Sequence, residues 1–159
     1  MRKYFYFSLL LLTSCTYNLI GKKVPPYPNG TFSQYGACIT SHLGYERMCE
    51  YSIGILENEQ REHIGLLVLR SLKQKRNDPN DWIVTDHIKH PKVGYGNLLM
   101  YGSCMMNQDP DETILAIVEG SHKEYLKATN WAMQVNLNSG KFEKISPSLV
   151  SCYNEGYQY

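Results

Sequence analysis

Residues 113–140 read TILAIVEGSHKEYLKATNWAMQVNLNSG, and this stretch decides the predicted fold class. Thr113–Val118 is a short, almost wholly apolar run, which is typical of a strand in the centre of a sheet. Ser121 and Glu124 have the spacing of a capping box, in which both side chains bond free backbone N–H groups at a helix start. The stretch therefore predicts a central strand followed by a helix.

An apolar stripe supports the predicted helix. Tyr125, Ala128, Ala132 and Val135 recur at three- to four-residue spacings, which places them on one face of a helix. The sequence Asn-Ser-Gly at 138–140 is a typical helix end. We therefore expect one amphipathic helix that begins at Ser121.

The other periodic segments predict short strands, because their side chains alternate or form short apolar runs between turn residues. They are Cys49–Ile55, Ile64–Leu72, Trp82–Ile88, Leu98–Met106, Lys141–Ile145 and Leu149–Tyr153. One helix among about six or seven short strands predicts an α+β fold with a mostly antiparallel sheet and the helix packed on one face.

The N-terminus has the order of a signal peptide. A basic start at 1–3 is followed by the apolar run Tyr4–Leu12 and then by the small residues Thr13 and Ser14 before Cys15. Nine apolar residues are too few to span a bilayer, which needs about 20. We therefore assign residues 1–14 to a signal peptide.

The sequence Leu-Thr-Ser-Cys at 12–15 resembles the lipobox of bacterial lipoproteins. That resemblance implies cleavage before Cys15 and acylation of Cys15, with membrane lipid as a partner. Two or three acyl chains form a stable anchor, whereas one gives only reversible binding. In lipoproteins of enteric-type Gram-negative bacteria an aspartate after the cysteine favours the inner membrane. Thr16 therefore implies an outer-membrane protein that faces the periplasm.

The remaining chain is predicted to contain a spacer and one domain. Residues 15–37 are the lipidated N-terminus and a flexible tether, because this stretch has several prolines and no hydrophobic period. The spacer could extend to about 70 Å at full stretch. Residues 38–159 are predicted to form a single disulfide-braced α+β domain.

Four cysteines besides Cys15 fit an exported protein, where disulfides persist. Cys38, Cys49, Cys104 and Cys152 allow three pairings. We favour Cys38 with Cys49 and Cys104 with Cys152. The absence of a C-x-x-C pattern gives no support to a redox motif or a zinc ribbon.

Charge excludes one class of partner. The full chain has 16 basic and 15 acidic residues, and loss of Arg2 and Lys3 with the signal peptide leaves 14 against 15, a net charge of −1. A near-neutral domain has no electrostatic attraction for nucleic acid. We therefore expect no nucleic-acid partner.

The best metal-binding candidates are Asp86, His87 and His90. Two imidazoles and a carboxylate hold a divalent metal if they converge. A strand over Trp82–Ile88 would, however, place Asp86 and His87 on opposite faces of the sheet. Surface or turn positions are therefore the favoured interpretation.

No other pattern predicts catalysis. Asp109, Asp111 and Glu112 surround Pro110 and are interpreted as a solvated turn. The sequence has no G-x-S-x-G nucleophile motif and no glycine-rich phosphate loop, so no cofactor is expected.

Residues 104–154 are predicted to contain an apolar strand, a helix that bears a tryptophan, and a cysteine near the end. In these features they resemble small Gram-negative lipoproteins of unknown activity, a resemblance that implies no reaction. The sequence favours a non-enzymatic, lipid-anchored binding domain whose partner is an envelope protein or peptidoglycan. The alternative is an envelope-polymer hydrolase or metal-binding protein that uses Asp86, His87 and His90. A purely structural envelope component is a third hypothesis.

Overall fold

The computed structural model of the chain describes residues 18–28, 30–33, 36–40, 49–72 and 82–157. Within these ranges the chain forms β-strands and one 3-10 helix, Pro147–Leu149, but no α-helix. No helix in these ranges could cross a membrane. The strands are β1 (Lys23–Val24), β2 (Thr31–Phe32), β3 (Gly36–Ile39), β4 (Tyr51–Asn58), β5 (His63–Ser71), β6 (Trp82–Lys89), β7 (Asn97–Tyr101), β8 (Cys104–Met106), β9 (Asp109–Pro110), β10 (Ile114–Glu119), β11 (Tyr125–Asn136), β12 (Lys141–Lys144) and β13 (Val150–Tyr153).

The predicted α+β class is wrong, because the residues assigned to the helix form the long strand β11. Apolar side chains on β11 are buried on both of its faces: Ala132 packs in one core cluster and Val135 in another. A strand covered on both sides shows no simple alternation, so its pattern imitates a helix. Ser121 instead forms a turn before β11, in which its hydroxyl oxygen accepts a hydrogen bond from the Lys123 N–H at 3.4 Å.

The strands form two antiparallel sheets. In the first sheet the order is β1-β6-β5-β4-β2, and β3 also pairs with β4. In the second sheet the order is β7-β10-β11-β13-β8-β9, and β12 also pairs with β11. The sheets pack face to face over a core that includes Ile53 and Leu66 from the first sheet and Leu115 and Val135 from the second. Every one of these side chains is at most 1 % exposed.

The outer face of each sheet is also covered. In the second sheet, β8 and β13 also contact β10, and Val118 and Leu126 are buried in one cluster with Cys104 and Cys152. On the first sheet, Leu19 and Val24 cover Leu67. Each sheet therefore buries side chains on both of its faces.

The folded part extends further toward the N-terminus than the predicted boundary at residue 38. Leu19 is 3 % exposed and Val24 is 1 % exposed, and β1 pairs with β6. The Gly21 N–H donates to the Val84 carbonyl oxygen at 2.8 Å, and the Val84 N–H donates to the Lys22 carbonyl oxygen at 3.0 Å. The described part of the predicted tether is thus held against the first sheet. The predicted signal peptide and Cys15 lie outside the described residues.

The two predicted disulfides are present. Cys38 on β3 is bonded to Cys49, which precedes β4. Cys104 on β8 is bonded to Cys152, its cross-strand neighbour on β13. Cys104 and Cys152 are 3 % and 0 % exposed, so this second bond lies inside the C-terminal core cluster.

Candidate functional site

The structure does not bring Asp86, His87 and His90 together around one point. Asp86 lies on β6 and faces the second sheet, where its Oδ2 accepts a hydrogen bond from the Phe142 N–H at 2.8 Å. His87 points to the opposite face, as alternation along a strand requires, and its ring fills the space above Gly65. Asp86 therefore joins the two sheets, and its carboxylate is not directed toward either imidazole.

His90 follows the end of β6 and lies beside a different histidine. Its Nδ1 is 2.9 Å from the Pro91 carbonyl oxygen, and its ring centroid is 5.1 Å from that of His63. Burial and the neighbouring His63 lower the pKa of His90, while the Pro91 carbonyl opposes the shift. Burial also lowers the pKa of His87, against the opposing effect of the Asp86 carboxylate. Both environments favour neutral rings.

Glu57 forms a second polar cluster close to these histidines. It is 2 % exposed on β4, just beyond the predicted strand Cys49–Ile55. Its carboxylate oxygens are 3.5 Å from His63 Nε2 and 3.7 Å from Arg61 Nη1. Arg61 also stacks over the Phe32 ring at 4.6 Å. These contacts close the β4–β5 hairpin. Among the described residues, no group of three or more histidine, cysteine or acidic side chains could hold a metal ion.

A different place in the fold has the shape of a binding site. A cleft of about 720 Å³ opens where the start of β4 meets the loop before β10 and the ends of β11 and β12. Its volume is in the range of small-ligand sites. The residues that line it come from both sheets: Ile39, Glu50, Tyr51, Pro110, Asp111, Thr113, Gln134, Val135, Asn136, Leu137, Asn138 and Glu143.

Asp111 is held in a fixed orientation at this cleft. Its Oδ1 accepts hydrogen bonds from both the N–H and the hydroxyl of Thr113, and its Oδ2 accepts one from Gln134 Nε2 at 2.9 Å. Thr113 is only 3 % exposed. A carboxylate with three donors has little rotational freedom, so it is preorganised for a ligand. The predicted solvated turn around Pro110 therefore contains an ordered acceptor.

Glu143 and Glu50 place two further carboxylates at the cleft. Glu143 Oε1 accepts a hydrogen bond from Asn136 Nδ2 at 2.7 Å, which orients it from the neighbouring strand. Glu50 is exposed just before β4, and its carboxylate forms no ion pair or hydrogen bond with another described residue. Glu50 thus adds an exposed side chain to the lining of the cleft.

The electrostatic character of the cleft follows from its lining. Three carboxylates line it, and no lysine, arginine or histidine is among the described lining residues. Carboxylates along a concave surface attract cations and concentrate the field between low-dielectric walls. Leu137 adds apolar contact area, while Ile39 and Tyr51 line the cleft with mostly buried side chains. The arrangement can bind a ligand that has a cationic donor and an apolar stem.

Sequence reasoning could not find this cleft. Its carboxylates are at positions 50, 111 and 143, and no motif joins positions so far apart in the chain. Of these three carboxylates, the sequence pattern singled out only Asp111, which was interpreted as part of a solvated turn. Comparison with models of known protein families, with curated proteins and with solved structures finds no match.

Proposed function

We propose that this chain is a lipid-anchored protein of the bacterial cell envelope, attached to the outer membrane through Cys15, whose domain binds a partner at the acidic cleft. The observation that carries the binding role is the cleft of about 720 Å³ with three carboxylates and no basic lining residue in the described chain. The lipobox at 12–15 supports the anchor, and two disulfides fit an oxidising compartment.

The chemistry of the cleft defines the class of partner. A lysine or arginine side chain of an envelope protein, or an amine of a peptidoglycan stem peptide, would supply a cationic donor. An amine that meets a carboxylate forms a charge-assisted hydrogen bond, which is shorter and stronger than a neutral one. The aliphatic stem of such a group would lie against Leu137.

Photo-crosslinking in living cells tests the binding role. A photoreactive side chain at position 137 lies in the cleft, whereas one at Leu149, which is 46 % exposed, lies outside its lining. We expect a specific crosslinked product from position 137 and none of that mass from position 149.

Charge-neutral variants then connect the product to the cleft. Glu50→Gln combined with Glu143→Gln removes two lining charges and keeps side-chain size. Each lost charge-assisted hydrogen bond weakens binding by about tenfold or more. Glu119→Gln is the matched control, because Glu119 is exposed at the end of β10 away from the cleft. A crosslinked product that survives the double variant unchanged would show that the cleft is not the binding site.

A further inference from the structure

The first described residues after the predicted anchor form an ordered turn. We call Leu19–Lys23 the anchor-proximal turn. The Lys22 N–H donates to the Leu19 carbonyl oxygen at 3.0 Å, and Gly21 has a φ of 80°, a conformation that glycine adopts without strain. Hydrogen bonds to Val84 hold this turn on the first sheet. The turn therefore moves with the domain.

The chain between the anchor and this turn is short. Only three residue steps separate Cys15 from Asn18, the first described residue. Three steps reach about 11 Å at full extension, compared with about 70 Å for the predicted spacer. An acylated Cys15 would therefore hold the anchor-proximal turn within about one Debye length of the lipid headgroups.

The surface of the turn matches that location. Ile20 is 50 % exposed, so its apolar side chain is accessible on the turn. Lys22 and Lys23 are exposed beside it, and within the described chain neither forms an ion pair. A hollow of about 270 Å³ lies between these lysines and Tyr27. An apolar side chain next to paired ammonium groups is the pattern of a surface that binds anionic lipid.

We propose that the anchor-proximal turn docks on anionic lipid headgroups, with Ile20 in the interfacial region and Lys22 and Lys23 on headgroup phosphates. This inference rests on the proposed acylation of Cys15. It gives the domain a fixed orientation on the bilayer, so the prolines at 25–28 belong to the docked domain and do not form a flexible spacer.

Amine labelling of the full lipidated chain tests the docking. The protein is reconstituted in vesicles of phosphatidylcholine with phosphatidylglycerol, in vesicles of phosphatidylcholine alone, and in detergent micelles. Mass spectrometry then measures the rate at which an amine-reactive reagent modifies each lysine. Lys141 and Lys144, exposed on β12, are internal controls within the same molecule.

We expect Lys22 and Lys23 to react more slowly in the anionic vesicles than in the other two preparations, while Lys141 and Lys144 react equally in all three. Lys22→Gln should lower the ratio of docked to undocked domain by about fivefold, the typical effect of one lysine near an anionic surface. In this variant, the labelling rate of Lys23 measures the ratio of docked to undocked domain.

Ile20→Ser should likewise increase the labelling of both lysines, whereas Leu149→Ser, at another exposed apolar position, should not. In lipidated, vesicle-bound protein, rates for Lys22 and Lys23 in the anionic vesicles equal to those in the other two preparations would overturn the docking and leave the anchor intact. A chain without acyl mass that fails to float with vesicles would instead overturn the proposed anchor. The two failures thus have separate readouts.

Discussion

Asp86 on β6 and Phe142 on β12 are joined by a hydrogen bond of 2.8 Å between the Asp86 carboxylate and the Phe142 N–H. β6 belongs to the first sheet and β12 to the second, so this bond connects the two layers of the core. Phe142 is itself 9 % exposed and packs in the core between the sheets. Asp86, one of the metal-binding candidates from the sequence, therefore has a structural role in connecting the two sheets.

We predict that Asp86→Ala destabilises the fold by about 1.5–3 kcal/mol, the usual contribution of a hydrogen bond to a charged group. Urea unfolding with and without zinc measures the effect. Asp109→Ala, at an exposed position on β9, is the matched control and should leave the midpoint unchanged. The structural role would be contradicted if zinc raised the urea midpoint of the unaltered protein but not that of Asp86→Ala.

The two disulfides should differ in their resistance to reduction. Cys104 and Cys152 are buried in a core cluster, whereas Cys38 is exposed. A reductant must reach the sulfur that it attacks, so Cys38–Cys49 should open first under native conditions. Alkylation during a reduction time course, followed by peptide mass spectrometry, gives the order. Simultaneous opening of both bonds would indicate global unfolding instead.

Loss of either bond should also lower stability. In the chain-entropy model, a loop of 11 residues contributes about 3 kcal/mol and a loop of 48 residues about 4 kcal/mol. Replacing Cys104 and Cys152 together by alanine should therefore lower the free energy of unfolding more than the same change at Cys38 and Cys49. The reverse order in urea unfolding would show that native-state contacts outweigh chain entropy here.

The fold should lose stability in mild acid. Burial lowers the pKa of His87 and His90 below their ordinary value of 6.5. The unfolded chain therefore takes up these protons at a higher pH than the folded chain does, and the free energy of unfolding falls as pH decreases below 6.5. The charged or titratable groups that act on these rings are the Asp86 carboxylate, which opposes the shift of the His87 pKa, and His63, which adds to the shift of the His90 pKa.

Urea unfolding across this pH range measures the loss. His87→Gln combined with His90→Gln should flatten the curve, because the two titrating groups are gone. His122→Gln, in the exposed loop before β11, is the control and should keep the original slope. A double variant that loses stability as steeply as the unaltered protein would assign the acid sensitivity to other residues.

The sequence predicted those features that depend on local pattern. Strands near β4, β5, β6 and β10 follow from alternation or from short apolar runs. The opposite directions of Asp86 and His87 follow from strand geometry alone. The favoured cysteine pairing also agrees with the structure.

The features that were missed depend on long-range contacts. β11 looked helical because the second sheet is covered on both faces, which no local window reveals. The predicted strand at 98–106 divides into β7 and β8 because Gly102 turns the chain with a φ of 79°. The N-terminal segment was predicted to be a linker because it has several prolines and no hydrophobic period. Leu19 and Val24 within it are nevertheless buried.

The most direct test of the central claim is the intact mass of the protein extracted from its native membrane, measured with and without reductant. A lipid-anchored, disulfide-braced envelope protein predicts a chain that begins at Cys15, carries added acyl mass, and exposes four further thiols only after reduction. An unmodified chain that retains Met1 and has free thiols would contradict the anchor, the compartment and the membrane docking together.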